Sequence, residues 1–339
     1  MDPLTHALAG AAAARVVSSR SLKSAALLPG AVGALLPDVD ALIRSSADPL
    51  LYAEFHRHFT HSIAFIPAGG FVASLPWLVR RATRSQWRAC LIAATAGYAT
   101  HGVLDAATTY GTVLLWPFSM VRVSWDAIAI VDPLFTLILA AGLALAYWRR
   151  TARPAAAALV LCGAYLLAGA TARDRALGVQ QQIASTRGHT VARGAVFPGF
   201  ASNLLWRSLY LADGILYIDR IRVPWSGTPT WKPGTTVPAL GFSDLPARVR
   251  TDPRLTRDFS RFNWFTDGWM ARPPGDAAVI ADARYSERTD RFELVWGIRL
   301  GVPGPVPVEW IDRSGQRRID PGELWDEIRG ADPGHRTLE

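Results

Sequence analysis

Charge is distributed unevenly along this chain, and this asymmetry restricts what its two halves can fold into. Residues 1–172 hold 13 Lys or Arg and 8 Asp or Glu, whereas residues 173–339 hold 23 and 20. Ordinary soluble domains carry about 25% charged residues, so the first half has too few charges to cover a surface exposed to water. We therefore expect a membrane-embedded domain over 1–172 and a polar domain over 173–339.

Six apolar stretches in the first half predict a mainly α, polytopic membrane helical bundle. The last two are each close to the roughly 20 residues that cross a bilayer core. The first two are shorter, so they either re-enter the membrane or cross it where the bilayer is thinned. The six stretches are 4–19, 24–37, 62–79, 88–108, 127–148 and 155–172.

The charges between these stretches predict an orientation. Ten of the thirteen basic residues fall in alternate loops, while all eight acidic residues fall on the other side or just inside its helix ends. Basic loops stay in the cytoplasm, so the acidic side and everything after residue 172 should face the periplasm or cell exterior. The ten basic residues are Arg15, Arg20, Lys23, Arg80, Arg81, Arg84, Arg88, Arg149, Arg150 and Arg153.

The second half is predicted to be a mostly β, extracytoplasmic domain. Apolar and polar residues alternate over 214–223 and 292–300, and Pro- and Gly-containing turns separate such runs. A period of two is typical of half-buried strands. The residues 172–187 are compatible with a helix that joins this domain to the membrane.

Two protein classes are disfavoured by composition. The net charge is +8, but the basic residues are not gathered into one patch, so we expect no nucleic-acid partner. Cys90 and Cys162 lie in separate apolar stretches without a CxxC pair, which predicts two buried packing residues and no disulfide.

Seven residues of metal-ligand type lie in the first third of the chain, and the predicted topology puts all of them on one side of the membrane. Each short motif also has an ordinary alternative as a helix cap or turn. Ionisable residues in apolar surroundings mark functional sites, however, and imidazole with carboxylate is a typical zinc ligand set. The predicted ligands are His6, Asp38, Asp40, His56, His61, His101 and Asp105.

Catalytic roles are predicted for four residues near these ligands. Asp40 or Asp105 could act as the general base on water, and Arg57 could clamp a phosphate or carboxylate oxygen. His58 could serve as a further ligand, a proton donor or a headgroup contact. The alternative for Arg57 is a charge at the membrane surface.

These motifs resemble those of the YdjM-like family of inner-membrane proteins, described as metal-dependent hydrolases. The resemblance covers about residues 1–170 and rests on motifs that occur in the family's order. They are Thr5-His6, the turn 37–40, the run 56–62, and Thr100-His101 with Leu104-Asp105 continuing into 108–111 and 115–118. His58 departs from the family pattern, where a glycine is expected. The resemblance implies a membrane enzyme with a His/Asp metal site.

The leading prediction is a membrane-bound metal-dependent hydrolase that faces outward and acts on a lipid or lipid-linked ester, most simply a phosphoester. One to three divalent ions are expected, zinc first and manganese second. One alternative is a non-enzymatic anchor with a structural metal and a partner-binding outer domain. A metal or ion transporter is the other, and the lack of His or acidic residues on the cytoplasmic side argues against it.

Overall fold

The computed structural model describes residues 1–18, 23–286, 288–316, 320–331 and 333–337. The chain divides into two compact units. Unit 1 comprises Met1–Leu42 and Phe55–Ala170, and unit 2 comprises Ile43–Glu54 and Thr171–Glu339. Ser19, at the end of the first apolar stretch, and Arg20, one of the loop cations, lie outside the described residues.

Ten α-helices occur in the described part of the chain, and most of those in unit 1 are short. In chain order they are α1 (Pro3–Val17), α2 (Leu27–Leu35), α3 (Leu51–Phe55), α4 (Ile66–Val79), α5 (Trp87–Ala106), α6 (Pro133–Trp148), α7 (Arg153–Thr186), α8 (Ala247–Thr251), α9 (Pro253–Phe265) and α10 (Pro321–Arg329). Proline follows an aspartate cap at the start of α1 and of α6, a combination that fixes where each helix begins.

The prediction of a six-span polytopic bundle is wrong. Among the described residues, one helix, α7, is long and apolar enough to cross a membrane. A second span is reached only if the pair Leu51–His61 and Ile63–Val79, bent by 60°, counts as one. The apolar stretches were located by hydropathy, but the helices that form in four of them are shorter than the roughly 20 residues of a membrane span. α1, α2, α4 and α6 have 15, 9, 14 and 16 residues.

Small residues let α1, α2 and α5 approach one another closely in unit 1. A Cβ on Gly97 would lie 2.0 Å from the carbonyl oxygen of Gly30, and one on Gly10 would lie 2.5 Å from that same atom. A Cβ on Gly33 would lie 2.1 Å from the carbonyl oxygen of Ala94. Such backbone contact is typical of helices that pack through small residues in membranes. This close packing places α1, α2 and α5 side by side.

Unit 2 contains two antiparallel sheets. Their strands are β1 (Arg193–Pro198), β2 (Leu205–Ala212), β3 (Ile215–Arg222), β4 (Thr230–Pro238), β5 (Met270–Ala271), β6 (Val279–Asp282), β7 (Trp296–Leu300), β8 (Val308–Asp312) and β9 (Arg336–Thr337). One sheet has the order β1-β2-β3-β4-β9 and the other β5-β6-β7-β8. β2 and β3 form a hairpin in which Leu209 pairs with Ile218.

Two larger apolar clusters form much of the described core of unit 2. Leu209, Ile218, Trp269 and Phe292 belong to one cluster. In the other, Val179 and Ile183 of α7 pack with Trp206, Ile221 and Trp231. The segment Ile43–Glu54 is held to α9 by ion pairs, because the Arg261 guanidinium lies 2.9 Å from Asp48 and 2.7 Å from Glu54.

Candidate metal centre

Four separate segments of unit 1 bring the predicted ligands together. His6 lies in the first turns of α1. Asp38 and Asp40 lie in a 3₁₀ turn, Leu36–Leu42, that follows α2 directly, and His61 ends another, Phe59–His61. His101 and Asp105 lie on α5 with a spacing of four residues, which places both on one helix face. Asp38, by contrast with the buried members, has a side chain that is 30% exposed.

Asp38, His61, His101 and Asp105 form one group with metal-ligand geometry. Nε2 of His61 and Nε2 of His101 are 2.9 Å apart. Each of these nitrogens lies 3.2 Å from Asp105 Oδ2 and 3.5 Å from Asp38 Oδ1. The two imidazoles are buried with Asp105, so water cannot compensate for charges in this group.

The proton positions on the two imidazoles follow from their other partners. Nδ1 of His101 faces the carbonyl oxygen of Ala34, which can only accept a hydrogen bond. The Thr60 hydroxyl donates to Asp40 Oδ2 at 2.6 Å and therefore accepts from Nδ1 of His61 at 3.0 Å. Both Nδ1 atoms thus carry protons. If neither Nε2 atom carries a proton, the two present lone pairs to each other, and a metal ion bound by both nitrogens would satisfy them.

The residues of this group fit a metal ion. Zinc ligands at 2.0–2.1 Å in a tetrahedron stand about 3.3 Å from one another. The observed ligand separations of 2.9, 3.2 and 3.5 Å bracket that value. Oδ2 of Asp105 is buried and makes no hydrogen bond, although three nitrogens surround it. An orphaned carboxylate oxygen among imidazole lone pairs is what a site built for a cation would leave.

Asp38, Asp40 and His56 form a second candidate group, which shares Asp38 with the first. Nδ1 of His56 lies 2.8 Å from Asp40 Oδ1. Oδ2 of Asp40 accepts hydrogen bonds from the Thr60 hydroxyl and from the backbone N–H of Arg57 at 3.0 Å. Burial disfavours the charged carboxylate, but hydrogen bonds from His56 and His61 outweigh it and hold the pKa of Asp40 below its usual range.

Arg57 lies beside the first group in a left-handed backbone conformation, with φ of 65°. Its side chain is buried. Nε lies 3.2 Å from Asp105 Oδ2, one terminal nitrogen donates to the Thr108 hydroxyl at 2.9 Å, and the guanidinium lies over the Tyr110 ring. Positive φ is uncommon outside glycine and is often retained at functional sites. The geometry places a fixed positive charge against the Asp105 carboxylate.

Two other predicted residues lie outside both ligand groups among the described residues. His6 stacks on His101 with ring centroids 3.7 Å apart, and its Nε2 lies 3.1 Å from Asp105 Oδ1. The Met1 amino group contacts the same oxygen. His58 is buried beside the rings of Phe59 and Trp116, at centroid distances of 6.1 and 6.4 Å.

Several supporting residues were not identified from the sequence. Thr60 orients Asp40 and His61, and the Tyr98 hydroxyl in turn donates to the carbonyl oxygen of Thr60. Thr108 accepts from Arg57. Thr60 lies inside the predicted run 56–62 and Thr108 follows Asp105 by three residues, so proximity in sequence was available as a clue. The contact between Ala34 and His101 had none.

Comparison with known proteins gives one result. No curated protein and no solved structure matches the chain significantly. The family of YdjM inner membrane proteins matches residues 1–176, which is more than half of the chain and includes every residue of the two ligand groups. The membrane location of that family agrees with the apolar character of unit 1, and the chain belongs to the YdjM inner membrane protein family.

Proposed function

We propose that this protein is a metal-dependent hydrolase of the inner membrane that acts on a lipid or lipid-linked phosphoester. The observation that carries the proposal is the approach of His61 Nε2 to His101 Nε2 at 2.9 Å, with both Nδ1 atoms already bonded elsewhere. Two lone pairs at this distance repel each other unless one nitrogen carries a proton or a metal ion binds both. Two carboxylates at the same place favour a divalent metal over a single proton.

Asp38, His61, His101 and Asp105 would hold the first ion, and Asp38, Asp40 and His56 a second. Nitrogen and oxygen donors of this kind suit zinc, with manganese as the alternative where carboxylates predominate. A divalent cation supplies Lewis acidity, which polarises an ester oxygen and makes water more acidic. His6 would restrain Asp105 from the opposite oxygen through its contact at 3.1 Å.

The three carboxylates suit different tasks. Hydrogen bonds orient both oxygens of Asp40 toward His56, Thr60 and His61, which suits a fixed ligand of the second ion better than a base. Asp105 is buried in contact with five basic groups and suits a ligand role. Asp38, the one with an exposed side chain, is best placed to meet substrate and accept a proton from water. A base role for Asp40 or Asp105 stays a prediction.

Arg57 would stabilise a phosphoryl group at this site. Its guanidinium cannot lose its proton, and it is already oriented by Asp105, Thr108 and Tyr110. A preorganised positive charge near the reacting group stabilises charge that develops in the transition state. The role of His58 stays a prediction, and its aromatic surroundings favour packing.

The site and unit 2 would face the periplasm. Supporting this orientation, basic residues cluster in the links between α4 and α5 and between α6 and α7, whereas the ligand carboxylates lie elsewhere. Asp213, in the turn between β2 and β3, offers a test. We expect an Asp213→Cys variant to react with a membrane-impermeant maleimide in intact spheroplasts, and protection until the membrane is opened would contradict the orientation.

The decisive experiment is the metal content of the detergent-purified full chain by mass spectrometry. Wild type should hold one or two zinc ions, and His61→Ala/His101→Ala should lose them. His189→Ala is the matched control because His189 lies in unit 2, beside Tyr210. Hydrolysis of bis(4-nitrophenyl) phosphate and of phospholipid vesicles is then compared among the three proteins. Absence of metal after reconstitution with zinc or manganese, or equal activity in the double variant, would contradict the proposal.

One observation favours a second candidate function, a membrane anchor with a structural metal. The first group provides four protein ligands, and closed sites of four ligands are typical of structural zinc. In this case unit 2 would bind a partner. Bound metal without hydrolysis of either substrate would support this second candidate over the first.

A further inference from the structure

Exposed apolar side chains are concentrated in one of the two units. Among the described residues, 29 large hydrophobic side chains are exposed, and 25 of them belong to unit 1. In the described part of unit 2, the exposed ones are Phe200, Trp225, Phe242 and Trp325. Extensive exposed apolar surface marks a contact with a membrane or a partner. The surface of unit 1 is therefore suited to lipid, which agrees with the family to which the chain belongs.

One loop of unit 1 contributes several of these side chains within seven residues. The residues 115–121 read Leu-Trp-Pro-Phe-Ser-Met-Val and contain no charged side chain. Leu115 is 50% exposed, Val121 67% and Phe118 90%. No other aromatic side chain among the exposed ones is as open as Phe118 in the part of the chain that the structure describes.

The base of the loop is hydrogen-bonded to residues 56–63, the segment that contains His56 and His61. Thr112 and Val123 pair as an antiparallel bridge that closes it. The Arg122 side chain donates to the carbonyl oxygens of Tyr110 and Gly111 and to that of His56, at 3.2–3.4 Å. The backbone N–H of Ile63, two residues after His61, donates to the carbonyl oxygen of Leu114. The ends of the loop are therefore attached to residues that lie beside the candidate metal ligands His56 and His61.

We propose that residues 115–121 insert into the boundary between headgroups and acyl chains, and that the site takes a substrate presented in the bilayer. This inference rests on the proposed function for its second part, since only a hydrolase needs a substrate. The loop carries exposed aromatic and aliphatic side chains between its ends, and Arg122 lies at its base. Such a composition favours the interface over the hydrocarbon centre.

Exposed apolar side chains elsewhere in unit 1 favour lipid over a second protein copy. Val160, Leu161 and Leu167 are exposed on α7, which among the described residues is the helix long and apolar enough to cross a membrane, and they belong to the same unit as the loop. The chain belongs to a family of inner membrane proteins, so a bilayer accounts for the exposed apolar side chains of both elements.

Fluorescence quenching in vesicles tests the insertion without any reaction. A Phe118→Cys variant of the full chain carries a bimane label, and native Cys90 and Cys162 are buried. The vesicles contain phosphatidylethanolamine and phosphatidylglycerol, with or without a doxyl-labelled phospholipid. The matched control is the same label on Asp213→Cys, in the exposed turn of unit 2. We expect the doxyl lipid to quench the label at 118 several-fold more than the label at 213, and aqueous iodide to show the opposite order.

Equal iodide quenching at both positions would overturn the insertion. Protection from both quenchers, together with a dimer in detergent, would assign the loop to a protein contact and would also overturn it.

A second variant connects the loop to substrate choice. Phe118→Ser/Val121→Ser should keep its metal and its rate on bis(4-nitrophenyl) phosphate, while its rate on vesicle phospholipid falls about tenfold. Equal loss on both substrates would overturn the second part of the inference. If the proposed function fails, neither substrate is hydrolysed by wild type, yet the quenching result still decides whether the loop inserts.

Discussion

His61 and His101 approach each other through their Nε2 atoms at 2.9 Å, while Thr60 and Ala34 hold the two Nδ1 protons. Removal of a metal from this pair should therefore destabilise the folded chain. Binding of an ion to the folded state alone contributes about 2.7 kcal/mol when free metal is 100 times its Kd. We expect chelation to lower the thermal unfolding temperature of wild type in detergent and zinc to restore it. His61→Ala/His101→Ala should respond to neither treatment, and a response equal to that of wild type would argue against this site.

Thr60 should control metal affinity although it is not a ligand. Its hydroxyl donates to Asp40 and accepts from His61, so Thr60→Val removes two restraints at once. Loss of a group that orients metal ligands weakens affinity by about 10- to 100-fold. Competition with a fluorescent zinc chelator measures this change. Thr100→Val is the control. Thr100 precedes His101 by one residue, and its hydroxyl donates within its own helix to the carbonyl oxygen of Gly97. Equal affinities for the two variants would contradict the role of Thr60.

Gly97 should be intolerant of even one methyl group. A Cβ there would lie 2.0 Å from the carbonyl oxygen of Gly30, so Gly97→Ala forces α5 away from α2. Overpacking of this kind costs about 1–3 kcal/mol, and His101 lies one turn further along the same helix. The thermal unfolding temperature and the number of zinc ions bound per chain should both fall. Gly163→Ala on α7 is the control, since nothing lies within 4 Å of its Cβ, and we expect its unfolding temperature to be unchanged or slightly higher.

The first turn of α9 should loosen in acid. Asp252 caps this helix, and a hydrogen bond from the backbone N–H of Arg254 holds the pKa of Asp252 below its ordinary value of 3.8. A carboxylate whose pKa is lowered by folding stabilises the fold above the unfolded pKa, and that stabilisation is lost as pH falls through the folded pKa. Asp252→Asn keeps an acceptor but does not titrate. Hydrogen exchange at matched pH should show the first-turn amides losing protection below pH 3.8 relative to this variant. A constant difference between the two proteins over the whole pH range would contradict the assignment.

The candidate site was far more accessible to sequence reasoning than the membrane topology was. His and Asp in apolar surroundings are costly unless they find partners, which favours a common site for these side chains even though the six-span topology that also grouped them is wrong. The four-residue spacing of His101 and Asp105 also fixes a common helix face wherever the helix lies. The convergence of the four segments, however, depends on contacts such as Gly30 with Gly97, which no local pattern encodes.

The number of membrane spans could not be read from hydropathy. The stretch 24–37 is apolar throughout most of its length, yet the structure divides it into a 3₁₀ turn, a helix of nine residues and a second 3₁₀ turn. Apolar composition records which residues avoid water, and packing among helices satisfies that requirement as well as lipid does. The role of Thr60 was not predicted either. Its hydroxyl orients Asp40 and His61 only through the fold, and the sequence does not distinguish such a threonine from an ordinary one.

Asp38 belongs to both ligand groups, and this sharing makes their occupancy interdependent. An ion in one group withdraws electron density from the shared carboxylate and repels a second ion nearby. Loading should then proceed in two unequal steps, the first tight and the second weak. Where metal is scarce, only the first step would be completed, so the number of ions bound per chain would follow metal availability.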